Sequence, residues 1–300
     1  MNDKIVQSRL VLGTAQIGLD YGIANEIGKP DLNCAENIIR TAWENGIEEF
    51  DTAQAYGDSE IVLGHVFKKL KIQGKVKVIT KPDPKIDHLD DLMMIRNLSQ
   101  SLCNLGMKKI YCYMLHREDF LNLWGIGLKD IMKGFQEDNY IEKIGISVCS
   151  PQIALKAIKT DGIDCIQIPS NLLDRRFEDA GVFRSADKYN KKLYVRSIFL
   201  QGLILTEKNK FRDSMKFAKG VALQVETLTS QYHLSRQQLA IGYVKKAYPS
   251  ANIIFGAEAP PQVSENLECW NKDYSFLDLK DITKNINSFD DRILDPSKWG

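Results

Sequence analysis

Four ionisable residues each stand just beyond an apolar run: Asp51 and Tyr56 in EEFDTAQAYGDSE, Lys81 in KVKVITKPDP and His116 in IYCYMLHRED. Together they can give a proton to a carbonyl oxygen while a hydride arrives from elsewhere. A tyrosine is a poor acid near neutrality, with a reference pKa of about 10. A lysine ammonium beside it stabilises the phenolate and makes the phenol a better donor. An aspartate beside the lysine holds that charge in place against burial. A histidine can hydrogen-bond the substrate oxygen and orient it. No step of this chemistry needs a metal. A proton donor alone cannot reduce a carbonyl, so the hydride must come from a cofactor.

These groups can meet only if the elements that carry them converge. Strand-like apolar runs cover Leu10–Gly13, Glu48–Asp51, Val76–Thr80, Ile110–Met114, Lys143–Ser147, Cys165–Ile168, Lys192–Ser197 and Asn252–Phe255. Helical spacing fills the gaps. NCAENIIRTAWENG places Ile38, Ile39, Ala42 and Trp43 on one face and ends at Gly46, a left-handed cap. Asp58 is an expected N-cap for DSEIVLGHVFKKL, and Ser235 for SRQQLAIGYVKKAY. Strands alternating with helices imply parallel strands joined by crossovers. Runs that are apolar throughout fit a sheet covered on both faces. The expected fold is α/β, a (β/α)8 barrel forming a single domain over residues 1–300. An open doubly wound sheet fits less well, because no GxGxxG follows the first strand and polar residues end many strands rather than one switch point. In a barrel the C-terminal strand ends share one face, which would bring the four residues into one site. The long gap over 200–235 is a candidate lid or extra helix. The tail from about residue 274 would add a helix and wrap the barrel, with Trp299 either near the pocket or anchoring the end.

Composition excludes several classes. Lys plus Arg number 40 and Asp plus Glu 39, so a net charge of +1 gives no reason to expect nucleic acid or a membrane surface as partner. No run reaches the ~18 apolar residues of a membrane span. MNDKIVQSRLVLG lacks the pattern of a secretory signal, so a cytoplasmic location is expected. Six cysteines (Cys34, Cys103, Cys112, Cys149, Cys165 and Cys269) show no CxxC or metal-finger spacing and read as reduced core or pocket residues. Cys149 follows a barrel strand, and with no cation beside it in sequence it reads as passive lining.

In order along the chain, LGTAQIG, FDTAQAYGDSE, ITKPD, MLHRED, QIPSN and FGAEAPPQVSENLE resemble the aldo-keto reductase family over almost the whole length. The resemblance implies a TIM barrel with extended NADPH across its C-terminal face. It makes Tyr56 the general acid, Lys81 and Asp51 its tuning pair, and His116 the group that positions the carbonyl. It implies cofactor contacts at Gly13, Thr14 and Ala15 near the nicotinamide, and at Gln167 and Asn171, with Ser147 close by. Ser197 to Leu203, including Gln201 and Gly202, would run beneath the pyrophosphate. Gly256, Glu258, Gln262, Glu265 and Asn266 would hold the phosphate and adenine end. Tyr21 and Phe199 are candidates to face the substrate.

One departure bears on the cofactor. Many NADPH-using members place a cation around the positions of Gly256 to Glu258 and an arginine at Gln262. This chain reads FGAEAPPQ, with no cation, and a carboxylate suits the free ribose hydroxyls of NADH. The local charge favours NADH, but the family prior narrowly outweighs it, so NADPH is the expected cofactor with NADH as the alternative. The expected activity is NAD(P)H-dependent reduction of a small aldehyde, ketone or sugar-like carbonyl, or the reverse oxidation of a sugar or alcohol. A cofactor-sensing interaction subunit on the same barrel is the other reading, because a fold does not fix a function; the intact tetrad argues against it.

Overall fold

Short parallel strands with a period of two, each followed by an amphipathic helix, have one closed solution, and the chain adopts it. A computed structural model describes residues 9–23, 25, 28–286 and 290–299. Its strands are β1 (Leu10–Gly13), β2 (Glu49–Asp51), β3 (Lys77–Thr80), β4 (Ile110–Leu115), β5 (Ile141–Ser147), β6 (Cys165–Pro169), β7 (Lys192–Arg196) and β8 (Asn252–Gly256). Each pairs in parallel with the next, and β8 returns to β1 to close the barrel. The helices are α1 (Ala15–Gly18), α2 (Leu32–Glu44), α3 (Ser59–Leu70), α4 (Asp91–Leu105), α5 (Leu128–Glu137), α6 (Pro151–Lys159), α7 (Arg176–Asp179), α8 (Val182–Lys188), α9 (Lys219–Tyr232), α10 (Arg236–Ala247), α11 (Pro260–Asn271) and α12 (Leu279–Asn285). No helix among the described residues is long and apolar enough to cross a membrane.

Alternation along each strand sorts side chains into two cores. Val11, Ile79, Cys112, Met114, Cys165, Tyr194 and Ile254 form a separate buried cluster inside the barrel. Their neighbours of opposite phase, among them Leu12, Phe50, Val78, Tyr113, Ile166 and Val195, join the main core beneath the helices. The inward phase begins below the apolar layer with a polar plug. Glu49 is buried, accepts from Lys192 at 2.8 and 3.1 Å, and accepts from the Tyr194 hydroxyl at 2.8 Å.

Local signals mostly act where the sequence places them. Ser235 makes a full capping box with Gln238 at the start of α10, and Gly46 takes a φ of 84° after α2. Asp58 does occupy the N-cap position of α3, but its carboxylate pairs with Lys29 at 2.6 Å instead of capping the helix. Its φ of −96° and ψ of 14° are not the extended values that aim a side chain at the first-turn N–H groups. The 200–235 stretch folds as two 3-10 turns, 200–205 and 213–218, followed by α9, which lies beside α10. The tail forms α12 and two short turns. There Trp299 is buried and donates to the Arg292 carbonyl at 2.7 Å, so it anchors the end of the chain.

The plug predicts a clean separation of stability from chemistry. Lys192→Met would leave the Glu49 carboxylate buried without its cation. The expected loss is about 2–4 kcal/mol, below the range for a fully buried pair because Lys192 keeps some solvent contact. Urea unfolding followed by tryptophan fluorescence measures it; an unchanged midpoint would show that the plug does not stabilise the barrel.

Candidate active site

Continuing the inward phase past the apolar layer reaches, strand by strand, Gly13, Asp51, Lys81, His116, Ser147, Gln167, Arg196 and Gly256. These eight positions form the C-terminal rim of the barrel, the face on which such barrels carry their chemistry. Sequence reasoning finds seven of them and misses Arg196. Its signal was available: it stands two residues beyond Tyr194, in the same phase.

The rim is organised around one buried charge. Lys81 is fully buried; its Nζ lies 2.7 Å from Asp51 Oδ1 and donates to the Thr52 carbonyl at 3.0 Å. Gln167 reaches across the barrel and donates to the same Asp51 oxygen at 2.8 Å. Burial works against the Lys81 ammonium, but the Asp51 carboxylate and Tyr56 together outweigh it, and its pKa rises above the ordinary lysine value. The ammonium lies 5.2 Å from the centre of the Tyr56 ring. Tyr56 meets His116 edge to face at 5.9 Å between ring centres. Burial, and then the positive charges of Lys81 and Arg196, push the His116 pKa down to about 4. Its imidazole is therefore neutral near pH 7 and acts as a hydrogen-bonding group, not as a store of protons.

Close backbone contacts hold Tyr56 in place. Gly18 at the end of α1 abuts the Tyr56 carbonyl so tightly that any β-carbon would overlap it. Gly57, at a φ of 57°, touches Gly18 in turn, so both positions require glycine. Thr14 donates its hydroxyl to the Asp51 carbonyl at 2.9 Å, and Ser59 Oγ lies 2.8 Å from that same hydroxyl. These bonds tie the first loop, the end of β2 and the start of α3 together. Glu60 accepts from Thr80 at 2.6 Å and fixes the residue that precedes Lys81.

A cleft opens from Tyr56 and Asp51 across Gly13, Thr14 and Ala15, with Tyr21 on its wall. It passes Ser197, Phe199, Gln201 and Gly202 and reaches Gly256, Glu258, Gln262, Glu265 and Asn266. Sequence reasoning missed Gln16 and Gln237 on this surface; Gln237 donates to Asn266 at 2.9 Å. Gly13 and Gly256 are register partners on β1 and β8, so two adjacent rim positions carry no side chain. A β-carbon at Gly256 would run into the amide of Gln16. Ser197, Leu200, Gln201 and Gly202 all adopt left-handed backbone, with φ of 61°, 48°, 52° and 93°. Three of them are not glycine, and each costs roughly 1 kcal/mol or more, a strain typical of ligand-binding loops. An elongated cleft with a glycine-lined floor, a strained loop and amides at the far end fits a dinucleotide.

Not every expected contact reaches this surface. Asn171 is fully buried; its amide nitrogen donates to the Ser197 carbonyl at 3.0 Å, and its oxygen accepts from the N–H groups of Leu173 and Asp174. Its polar atoms are thus committed to shaping the loop after β6. Leu203 is buried in the main core because the left-handed turn before it points it inward. Ser147 and Gln167 lie below the cleft surface, buried, with the serine hydroxyl 3.5 Å from the Gln167 oxygen. Cys149 does have a cationic neighbour, supplied from β7: Arg196 Nη2 lies 3.2 Å from its sulfur. Among the described residues no group of three or more His, Cys, Asp or Glu side chains gathers as a metal site.

Fold and site together define a barrel that reduces carbonyl groups. The chain belongs to the aldo/keto reductase family, whose model matches residues 9–287. It is 25% identical to the NADH-specific methylglyoxal reductase of Escherichia coli K12, over 91% of this chain and 93% of that one. It is 26% identical to aldo-keto reductase YhdN of Bacillus subtilis, over 93% and 89%. Among solved structures, the holo form of aldo-keto reductase AKR11C1 from Bacillus halodurans superposes with a TM-score of 0.76 at 18% identity, covering 96% of this chain and 95% of that one. The glycerol dehydrogenase AKR11B4 of Gluconobacter oxydans gives 0.74 at 22% identity, covering 95% and 94%. Both show the same fold. The protein is an NAD(P)-dependent oxidoreductase acting on carbonyl groups.

The low His116 pKa has a consequence for stability. Between its ordinary value of 6.5 and about 4, the unfolded chain binds a proton that the folded site excludes. This group's contribution is fully present above pH 6.5 and is lost as pH falls toward 4. Wild type should lose more stability between about pH 7.5 and 5 than His116→Asn does, as read from urea midpoints. Equal losses would show that another group carries the acid sensitivity.

Proposed function

We propose that this protein reduces a small aldehyde or ketone with NADH, using Tyr56 as the proton donor. The observation that carries this reading is the buried Lys81–Asp51 pair beneath the Tyr56 ring. When bound, the nicotinamide supplies a hydride to the carbonyl carbon. Tyr56 gives its hydroxyl proton to the carbonyl oxygen, which completes the alcohol. The Lys81 charge stabilises the phenolate that forms, and Asp51 keeps that charge fixed so that little reorganises during the step. His116, neutral and edge-on to Tyr56, directs a hydrogen bond at the same oxygen and sets the carbonyl's angle. Gly13, Thr14 and Ala15 would floor the nicotinamide end, and the 197–202 loop would carry the diphosphate.

Preference for NADH is supported at the other end of the cleft. Glu258 lines it, and Gln262, the position where a cation would serve a 2′-phosphate, spends its amide oxygen on the Glu258 N–H at 2.7 Å. A carboxylate there accepts hydrogen bonds from ribose hydroxyls and repels a phosphate. The Escherichia coli relative that matches along most of the chain is named as NADH-specific.

Tyr56→Phe should lower kcat by about 10²–10⁴-fold, with NADH binding retained as judged by fluorescence quenching. Turnover near the wild-type rate would take the acid role away from Tyr56. Wild type should bind NADH at least tenfold more tightly than NADPH, a difference of about 1.4 kcal/mol. Glu258→Gln should narrow that gap; NADPH binding as tight as NADH in wild type would remove the ribose assignment.

A further inference from the structure

We propose that Arg196 binds a carboxylate on the substrate, so that the site favours oxo acids over neutral carbonyl compounds. This rests on the reductase reading above and adds the substrate class to it.

Arg196 occupies the inward rim position of β7, level with Asp51, Lys81 and His116. Among the described residues it is the one cationic side chain that lines the cleft. Its guanidinium makes two contacts, Nη1 to Ser197 Oγ at 3.2 Å and Nη2 to Cys149 Sγ at 3.2 Å. Neither partner is a carboxylate, and sulfur is a weak acceptor. Among the described residues no carboxylate pairs with Arg196, whereas its rim neighbour Lys81 has Asp51. A guanidinium carries five N–H donors in a planar fork that matches a carboxylate in a bidentate fashion. Arg196 lines the cleft, and no carboxylate among the described residues takes up that fork.

The position of the charge points to the substrate. The field of Arg196 reaches Tyr21, Lys81 and His116, and it acts to lower the pKa of each. These residues surround the place where the carbonyl must sit to meet Tyr56. A second positive charge at the rim works against the Lys81 ammonium on which the proton donor depends. An incoming carboxylate cancels that opposition as it binds, so an anionic substrate would improve the electrostatics of its own reduction. The residues suited to the adenosine, Glu258, Glu265 and Asn266, belong instead to the loop and helix that follow β8.

The test compares matched substrates with NADH in excess: glyoxylate against glycolaldehyde, and succinic semialdehyde against butanal. Wild type should show at least a tenfold higher kcat/KM for the acid in one of these pairs. In Arg196→Gln the acid-to-neutral ratio should fall at least tenfold, mainly through KM for the acid, and Arg196→Lys should restore part of it. An independent arm uses the wild-type protein. Malonate should inhibit competitively against the carbonyl substrate but not against NADH, and malonamide should not inhibit. No preference for acids, or a ratio unchanged in Arg196→Gln, overturns the inference. A tenfold loss of NADH affinity in Arg196→Gln with the ratio unchanged would place Arg196 on the cofactor phosphates and also overturn it. If wild type binds NADH but reduces none of the four compounds, the reductase reading fails. Calorimetric binding of malonate to the NADH-loaded protein, lost in Arg196→Gln, then decides the Arg196 assignment by itself.

Discussion

A lysine ammonium held in the floor of the active site, out of reach of water, is the constraint to which the rest of this site answers. A fully buried charge is tolerable only beside a fixed counter-charge, and breaking such a pair costs about 3–5 kcal/mol. Asp51 supplies the counter-charge at 2.7 Å, the Thr52 carbonyl accepts a second bond from the ammonium, and the Gln167 amide donates to the same Asp51 oxygen. Three strands, β2, β3 and β6, therefore meet in one hydrogen-bonded group. That group sets the field under Tyr56, and it adds to the burial that keeps His116 neutral.

The barrel makes this arrangement affordable by layering its interior. Below lies the Glu49–Lys192–Tyr194 plug, then a layer of apolar side chains, then the polar rim. Each strand contributes to successive layers through residues two apart, so a shift of one residue in any strand would exchange rim and core. Glycine plays a distinct part at two places. Gly13 and Gly256 leave the rim open on the β1–β8 side, where the cleft runs. The Gly18–Gly57 contact presses the Tyr56 turn against the first loop. The strained run from Ser197 to Gly202 borders the same cleft, with its conformational cost offset by the well-packed β7–α9 connection around Leu200, Leu203 and Ile204.

Much of this was legible in the chain itself. The eight strands were readable to within two residues because their apolar runs are bounded by turn residues and polar strand ends. The candidate tetrad was readable because Asp51, Lys81 and His116 stand at strand ends and Tyr56 lies on the loop after β2. What failed were features set by distant partners. Asp58 reads as a cap, but Lys29 takes its carboxylate. Asn171 reads as a ligand contact, but the backbone around it consumes its amide. Leu203 reads as part of a binding loop, but a left-handed turn sends it into the core.

The sequence by itself determined the barrel, the tetrad and the absence of a cation in FGAEAPPQ, because periodicity and residue type are local properties of a chain. Tertiary structure alone decided which polar groups remain available for a ligand. Arg196 and Cys149 lie 47 positions apart and share a contact only because β7 and the end of β5 border one rim. Whether a side chain is spent on the fold or free for chemistry depends on burial and on hydrogen-bond partners, and those exist only once the barrel has closed.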